Sequence, residues 1–111
     1  MDMFDEAGFH LRQLENDIAT PDFLQSEMAA VNAYLFIKQE NYQEAIGPLS
    51  LAVELTKKKT IKTRYVYILA QLYQELGNTA AALDNYRLTL RLKPTYEMEF
   101  NALINLSLIH I

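Results

Sequence analysis

The side chains able to move a proton, attack a substrate or hold a metal are few in this sequence and poorly placed for catalysis. Its two histidines, His10 and His110, lie in separate terminal segments and form no catalytic pair with each other. His10 adjoins apolar Leu11 and reads as a partly exposed helix histidine. Carboxylates are common but scattered along solvated faces. Glu97 and Glu99 are two apart on a helix, so they diverge and make a poor acid–base pair. The absence of cysteine removes thiolate catalysis, disulfides and thiolate-bound zinc, and fits a reducing or an oxidising compartment equally. There is no glycine-rich phosphate loop, nucleophile elbow or metal-ligand spacing. The expectation is a non-enzyme with no catalytic residue, no cofactor and no metal. The residue types that remain useful are tyrosine and arginine, Tyr34, Tyr67 and Arg64 above all. They suit non-covalent recognition, offering a rigid apolar body with a polar tip and a planar fork of donors.

The elements that must position them are helices. Half of the 111 residues are hydrophobic, and with 3 glycines and 3 prolines there is little to suggest disorder. A single domain with one continuous core is expected. A net charge of -4 speaks against nucleic acid as a partner, since phosphate binding needs clustered cations. No run of eighteen or more apolar residues occurs, and the segment MDMFDEAG is not laid out as a signal peptide, so no direct membrane insertion by this stretch is expected.

The spacing of small and large residues is most regular from Thr63 to Tyr96. Leu69 and Ala70 are followed by the aromatic Tyr73, and a Gly77-Asn78 turn ends the first helix. The second helix brings the small Ala82 to the crossing point, then Tyr86, and Pro94 closes the unit. This stretch resembles one tetratricopeptide repeat, departing only at Thr89, where that family prefers alanine. Ala33 and Ala70, Phe36 and Tyr73, Ala45 and Ala82, and Leu49 and Tyr86 are all 37 positions apart, against about 34 for the usual repeat. The surplus falls in Lys57–Lys62, the only basic cluster, which reads as a solvated loop at a helix C-terminus where cations suit the dipole.

Read in order, Phe4–Leu14 matches Tyr42–Ala52 slot for slot: Phe4 with Tyr42, Ala7 with Ala45, Leu11 with Leu49. It is expected to be the second helix of a repeat, capped by Asp2 and ended by Asn16. Thr20-Pro21-Asp22 is a helix start, and that helix should reach about Glu40 with Ala29, Ala33 and Phe36 buried. Asn41 and Glu44 read as a capping box for the next helix, which Pro48 should bend but not end. After a Thr95 cap, Phe100, Leu103, Ile104 and Leu108 form an apolar stripe on a last helix. The predicted architecture is an all-α, right-handed tetratricopeptide solenoid of about six antiparallel helices. It comprises a half repeat at 3–19, full repeats at 26–59 and 63–96, and a half repeat at 97–111. The chain is expected to be a piece of a longer protein, with self-association through its end helices.

Residues 3 to 107 also resemble, more narrowly, the large tetratricopeptide lipoproteins of Bacteroidota associated with gliding motility and type IX secretion. Arg64, Tyr65, Ile68, Ala70, Gln71, Leu72 and Tyr73 carry the likeness, with Tyr96, Glu97, Met98, Phe100, Asn101 and Ala102. The likeness implies a non-enzymatic scaffold at the bacterial cell envelope, periplasmic and lipid-anchored through an N-terminus outside this stretch, whose lipidated cysteine has no counterpart here. Without that likeness the location would be cytoplasmic. In the repeat family the first helices line a concave groove, and its slots here hold Glu27, Ala30, Tyr34 and Ile37, then Arg64, Tyr67, Gln71 and Gln74, then Met98, Asn101 and Asn105. A protein or peptide partner is expected there, although Tyr34 and Tyr67 could instead pack on each other. The carboxylate clamp of the heat-shock co-chaperones fails, because Ala30, Tyr34, Ile68, Met98 and Ala102 replace its lysine, arginine and asparagine donors. A rival reading is a purely architectural spacer with no groove ligand.

Overall fold

A computed structural model of the chain describes residues 22–109, in which every regular element is an α-helix. The expected half repeat at 3–19, with Asp2, Phe4, Ala7, His10, Leu11 and Asn16, lies outside the described residues, as do Thr20, Pro21 and His110. The helices are α1 (Asp22–Lys38), α2 (Tyr42–Leu55), α3 (Lys59–Glu75), α4 (Thr79–Arg91) and α5 (Tyr96–Ile109). They fall into two compact units, 1–56 and 57–111.

Helix positions recur with the sequence register. Asp22, Lys59 and Tyr96 begin α1, α3 and α5 at intervals of 37, and Tyr42 and Thr79 begin α2 and α4 at the same interval. The period therefore extends to α5, in place of the shorter spacing implied by a half repeat at 97–111. Asn101, Ile104 and Leu108 take the positions of Arg64, Tyr67 and Gln71, while Met98 corresponds to Ile61.

In the first unit α1 packs on α2. Ala29, Ala30 and Ala33 on α1 and Ala45, Leu49 and Ala52 on α2 are buried, so small side chains let the two backbones approach. Phe36 is half-buried. Ser26 donates its hydroxyl to the Ala52 carbonyl at 2.9 Å, which also accepts the Thr56 amide at 3.0 Å. One carbonyl at the end of α2 is thus satisfied twice. The helix runs through Pro48 to Leu55, and Gly47 before it has no Cβ to meet the proline ring.

α1 stops at Lys38, short of the expected Glu40. The Glu40 amide bonds the Ile37 carbonyl at 2.9 Å and the Asn41 amide bonds that of Phe36 at 2.8 Å, a Schellman closure with Glu40 at φ 61. Asn41 occupies the N-cap position of α2 but makes no side-chain cap bond, so the expected capping box with Glu44 does not form.

In the second unit α3 packs on α4, and α4 on α5. The core is Ala70, Ala82, Tyr86 and Ala102, flanked by Tyr67, Tyr73, Leu90 and Leu106. α3 ends by the same closure as α1, with the Gly77 amide on Gln74 and the Asn78 amide on Tyr73, and Gly77 at φ 81. Asn78 does cap α4, accepting the Ala81 amide at 3.3 Å. Thr95 caps α5 through the Met98 amide at 3.2 Å.

One further expectation is revised here in part. Only Lys57 and Lys58 of the basic cluster lie in the connection that follows the C-terminus of α2: Lys59 and Lys62 lie at the start of α3, where the helix dipole disfavours cations. That electrostatic penalty, roughly 0.3–1 kcal/mol per exposed charge, is outweighed by burial of Thr63, Tyr65, Val66 and Leu69 on the same helix. Thr89, the departure from the family pattern, is fully buried without an orphan hydroxyl, which donates to the Asn85 carbonyl at 2.8 Å.

Candidate partner-binding face

The spacing of Arg64, Tyr67, Gln71 and Gln74 places them on one face of α3. Arg64, Gln71 and Gln74 are exposed and Tyr67 is half-buried. Among the described residues, Arg64 and Gln71 make no hydrogen bond or ion pair. Both keep their donors toward solvent.

Tyr67 and Gln74 are held from behind. The Tyr67 ring meets Tyr86 edge-on, with centroids 6.4 Å apart and planes at 65°. The Tyr86 hydroxyl donates to Gln74 Oε1 at 2.5 Å, and Gln74 Nε2 donates to Asn105 Oδ1 at 3.0 Å. Asn105 Nδ2 in turn donates to the Asn101 carbonyl at 2.8 Å. This chain of bonds ties α4, α3 and α5 together and fixes which way each amide points. Burial first, and Tyr67 second, push the Tyr86 hydroxyl up to about 12, so it stays protonated and donates across the physiological range.

The structure therefore divides the expected site residues by role. Gln74 spends its acceptor and one donor on neighbours and serves as a strut. Asn101 and Met98 on α5 are half-buried, Asn101 lending its carbonyl to the chain of bonds. Glu27 and Tyr34 are exposed on one face of α1 in the first unit, with Ala30 of that row buried. Tyr86 was not among the expected site residues, yet it anchors Tyr67 and Gln74. A signal for it exists in the repeat: Leu49 and Ile37 become Tyr86 and Gln74 37 residues on, so an apolar pair is replaced by a hydrogen-bonded one.

Among the described residues no cluster of three or more His, Cys, Asp or Glu could hold a metal ion, and no helix is long and apolar enough to cross a membrane. The chain matches no protein-family model and no curated protein.

Proposed function

We propose that this chain is a tetratricopeptide-type helical repeat whose α3 face, presenting Arg64, Tyr67 and Gln71, binds an extended peptide or a helix of a protein partner. The observation that carries the reading is the contrast within one row. Tyr67 and Gln74 are locked in place by Tyr86 and Asn105, whereas Arg64 and Gln71 keep their donors toward solvent. A rigid aromatic flanked by uncommitted donors loses little side-chain entropy on binding, as an interface anchor requires. The repeat reading is supported by the interval of 37 in helix starts and turn closures, and by alanines where paired helices cross. On this reading the paired helices are antiparallel and successive pairs stack as a solenoid.

The narrower setting we propose is a scaffold at a bacterial envelope, part of a lipoprotein of the gliding and type IX secretion machinery. Its support is the run from Tyr96 to Ala102, where helix packing alone does not require the exposed Tyr96 and Phe100, stacked at 6.5 Å. The architectural alternative also has an observation in its favour, since the Tyr86–Gln74–Asn105 chain uses groove-slot residues for internal bracing.

A pull-down from envelope extract with the wild type and with Arg64→Ala plus Gln71→Ala separates the two readings. Both substitutions fall on exposed side chains, so folding is preserved. Loss of specific partners in the double variant supports the binding face. Equal recovery supports the spacer.

A further inference from the structure

α5 stands at the position of α1 and α3 in the 37-residue recurrence, and it exposes the face that those helices bury. Ser26 and Thr63 are 2% and 0% exposed, whereas Phe100 at the same position is 54% exposed. Ala29 and Val66 are 8% and 0% exposed, and their counterpart Leu103 is 51% exposed. Ala33 and Ala70 are fully buried, but Ser107 is exposed. On α1 this face is turned to α2, as the Ser26 hydroxyl on the Ala52 carbonyl records. On α3 it is turned to α4, with Ala70 in the core formed with Ala82 and Tyr86. The surface is apolar at helical spacing and built of larger side chains than its counterparts on α1, and what fits it is a helix with small facing slots like those of α2 and α4.

The chain holds one further segment with those slots. Phe4, Ala7 and Leu11 match Tyr42, Ala45 and Leu49, of which Ala45 and Leu49 are fully buried against α1. We infer that residues 4–14 of a second copy pack on the Phe100–Leu103–Ile104 face of α5, joining copies head to tail. The contact is heterologous, so each copy keeps one free surface of each kind and association is open-ended. The inference rests on the recurrence of helix positions and not on use of the Arg64 face.

The test is the mass of the chain in solution, by sedimentation across a wide concentration range. Wild type is expected to rise with concentration beyond twice its 12.8 kDa mass. Leu103→Asp removes the acceptor face at an exposed position, and Leu11→Asp, with Ala7→Arg as a second version, removes the donor segment. Each single variant should be monomeric with wild-type helical circular dichroism. An equimolar mixture of Leu103→Asp and Leu11→Asp should stop at a dimer, because each supplies the surface the other lacks. Three results overturn the inference. One is a wild type that stays monomeric, including the case in which Leu11→Asp and Leu103→Asp lower thermal stability equally, which would place the segment on its own α5. Another is association abolished by Leu103→Asp but not by the segment variants, which means α5 pairs with α5. The third is two monomeric variants that form no dimer when mixed.

Discussion

Glu40 and Gly77 occupy the same place in successive helix closures, 37 residues apart, and both hold a left-handed backbone, at φ 61 and φ 81. Each is followed by an asparagine whose amide bonds back across the closure, at 2.8 Å for Asn41 and 2.9 Å for Asn78. The turn geometry is thus set by the hydrogen bonds, and residue type adjusts its cost. Glycine adopts this conformation freely, while a residue with a Cβ is strained by roughly 1–2 kcal/mol.

Glu40→Gly is therefore expected to stabilise the first unit by up to about 1 kcal/mol, the strain relieved being offset in part by glycine's freedom when unfolded. Gly77→Ala should destabilise by about 1–2 kcal/mol. No atom lies within 4 Å of a Cβ built at Gly77, so the whole cost is backbone conformation. Urea unfolding of the two variants, with opposite signs expected, checks the pair.

Tyr86 makes stability depend on pH at the alkaline end. Its hydroxyl is raised from 10.0 to about 12 in the folded state. The folded state therefore holds the proton more tightly than the unfolded chain. Its contribution is complete below pH 10 and is lost as pH rises through about 12. Tyr86→Phe should cost about 1–2 kcal/mol at pH 8, where Gln74 loses its partner. The gap between wild type and Tyr86→Phe should narrow at pH 11. A gap that stays constant or widens would contradict the assigned direction. Measuring the difference between the two proteins cancels the titration of the other tyrosines.

Thr63 and Ser26 share one position, but their hydroxyls do different jobs. Thr63 Oγ1 donates to the Lys59 carbonyl at 2.7 Å and accepts the Lys93 amide at 3.0 Å, tying the start of α3 to the α4–α5 connection. Thr63→Val keeps the shape and strands that amide, at a cost of about 1–2 kcal/mol. Ser26→Ala removes a donor from a carbonyl that Thr56 still satisfies, so it should cost less, below about 1 kcal/mol. Guanidinium midpoints of the two variants give the order directly.

How far the sequence reveals these features depends on the kind of interaction behind them. The helical class and the interval of 37 were legible, because Ala33, Ala70, Ala45 and Ala82 mark positions where close approach leaves no choice of side chain. Gly77 announced its turn, whereas Glu40 adopts the same conformation against its own preference and gives no sign of it. Charge patterning misplaced Lys59 and Lys62, since a dipole preference of a few tenths of a kcal/mol yields to the burial of the apolar face beside it. The bracing role of Gln74 was hidden because an amide reads alike whether it meets a ligand or a neighbour. Only Tyr86 and Asn105 within reach decide which. Arg64 and Gln71 are exposed and make no side-chain bond among the described residues, which is what the proposed binding face asks of them.

The most direct test of the binding face is site-specific photo-cross-linking, with a photoreactive amino acid placed at Gln71 on α3 or at Asp84 on the exposed side of α4. In envelope extract the account predicts a discrete adduct from position 71 that is lost when Arg64→Ala is added, and none from position 84. Equal adducts from both positions, or none from position 71, would contradict it.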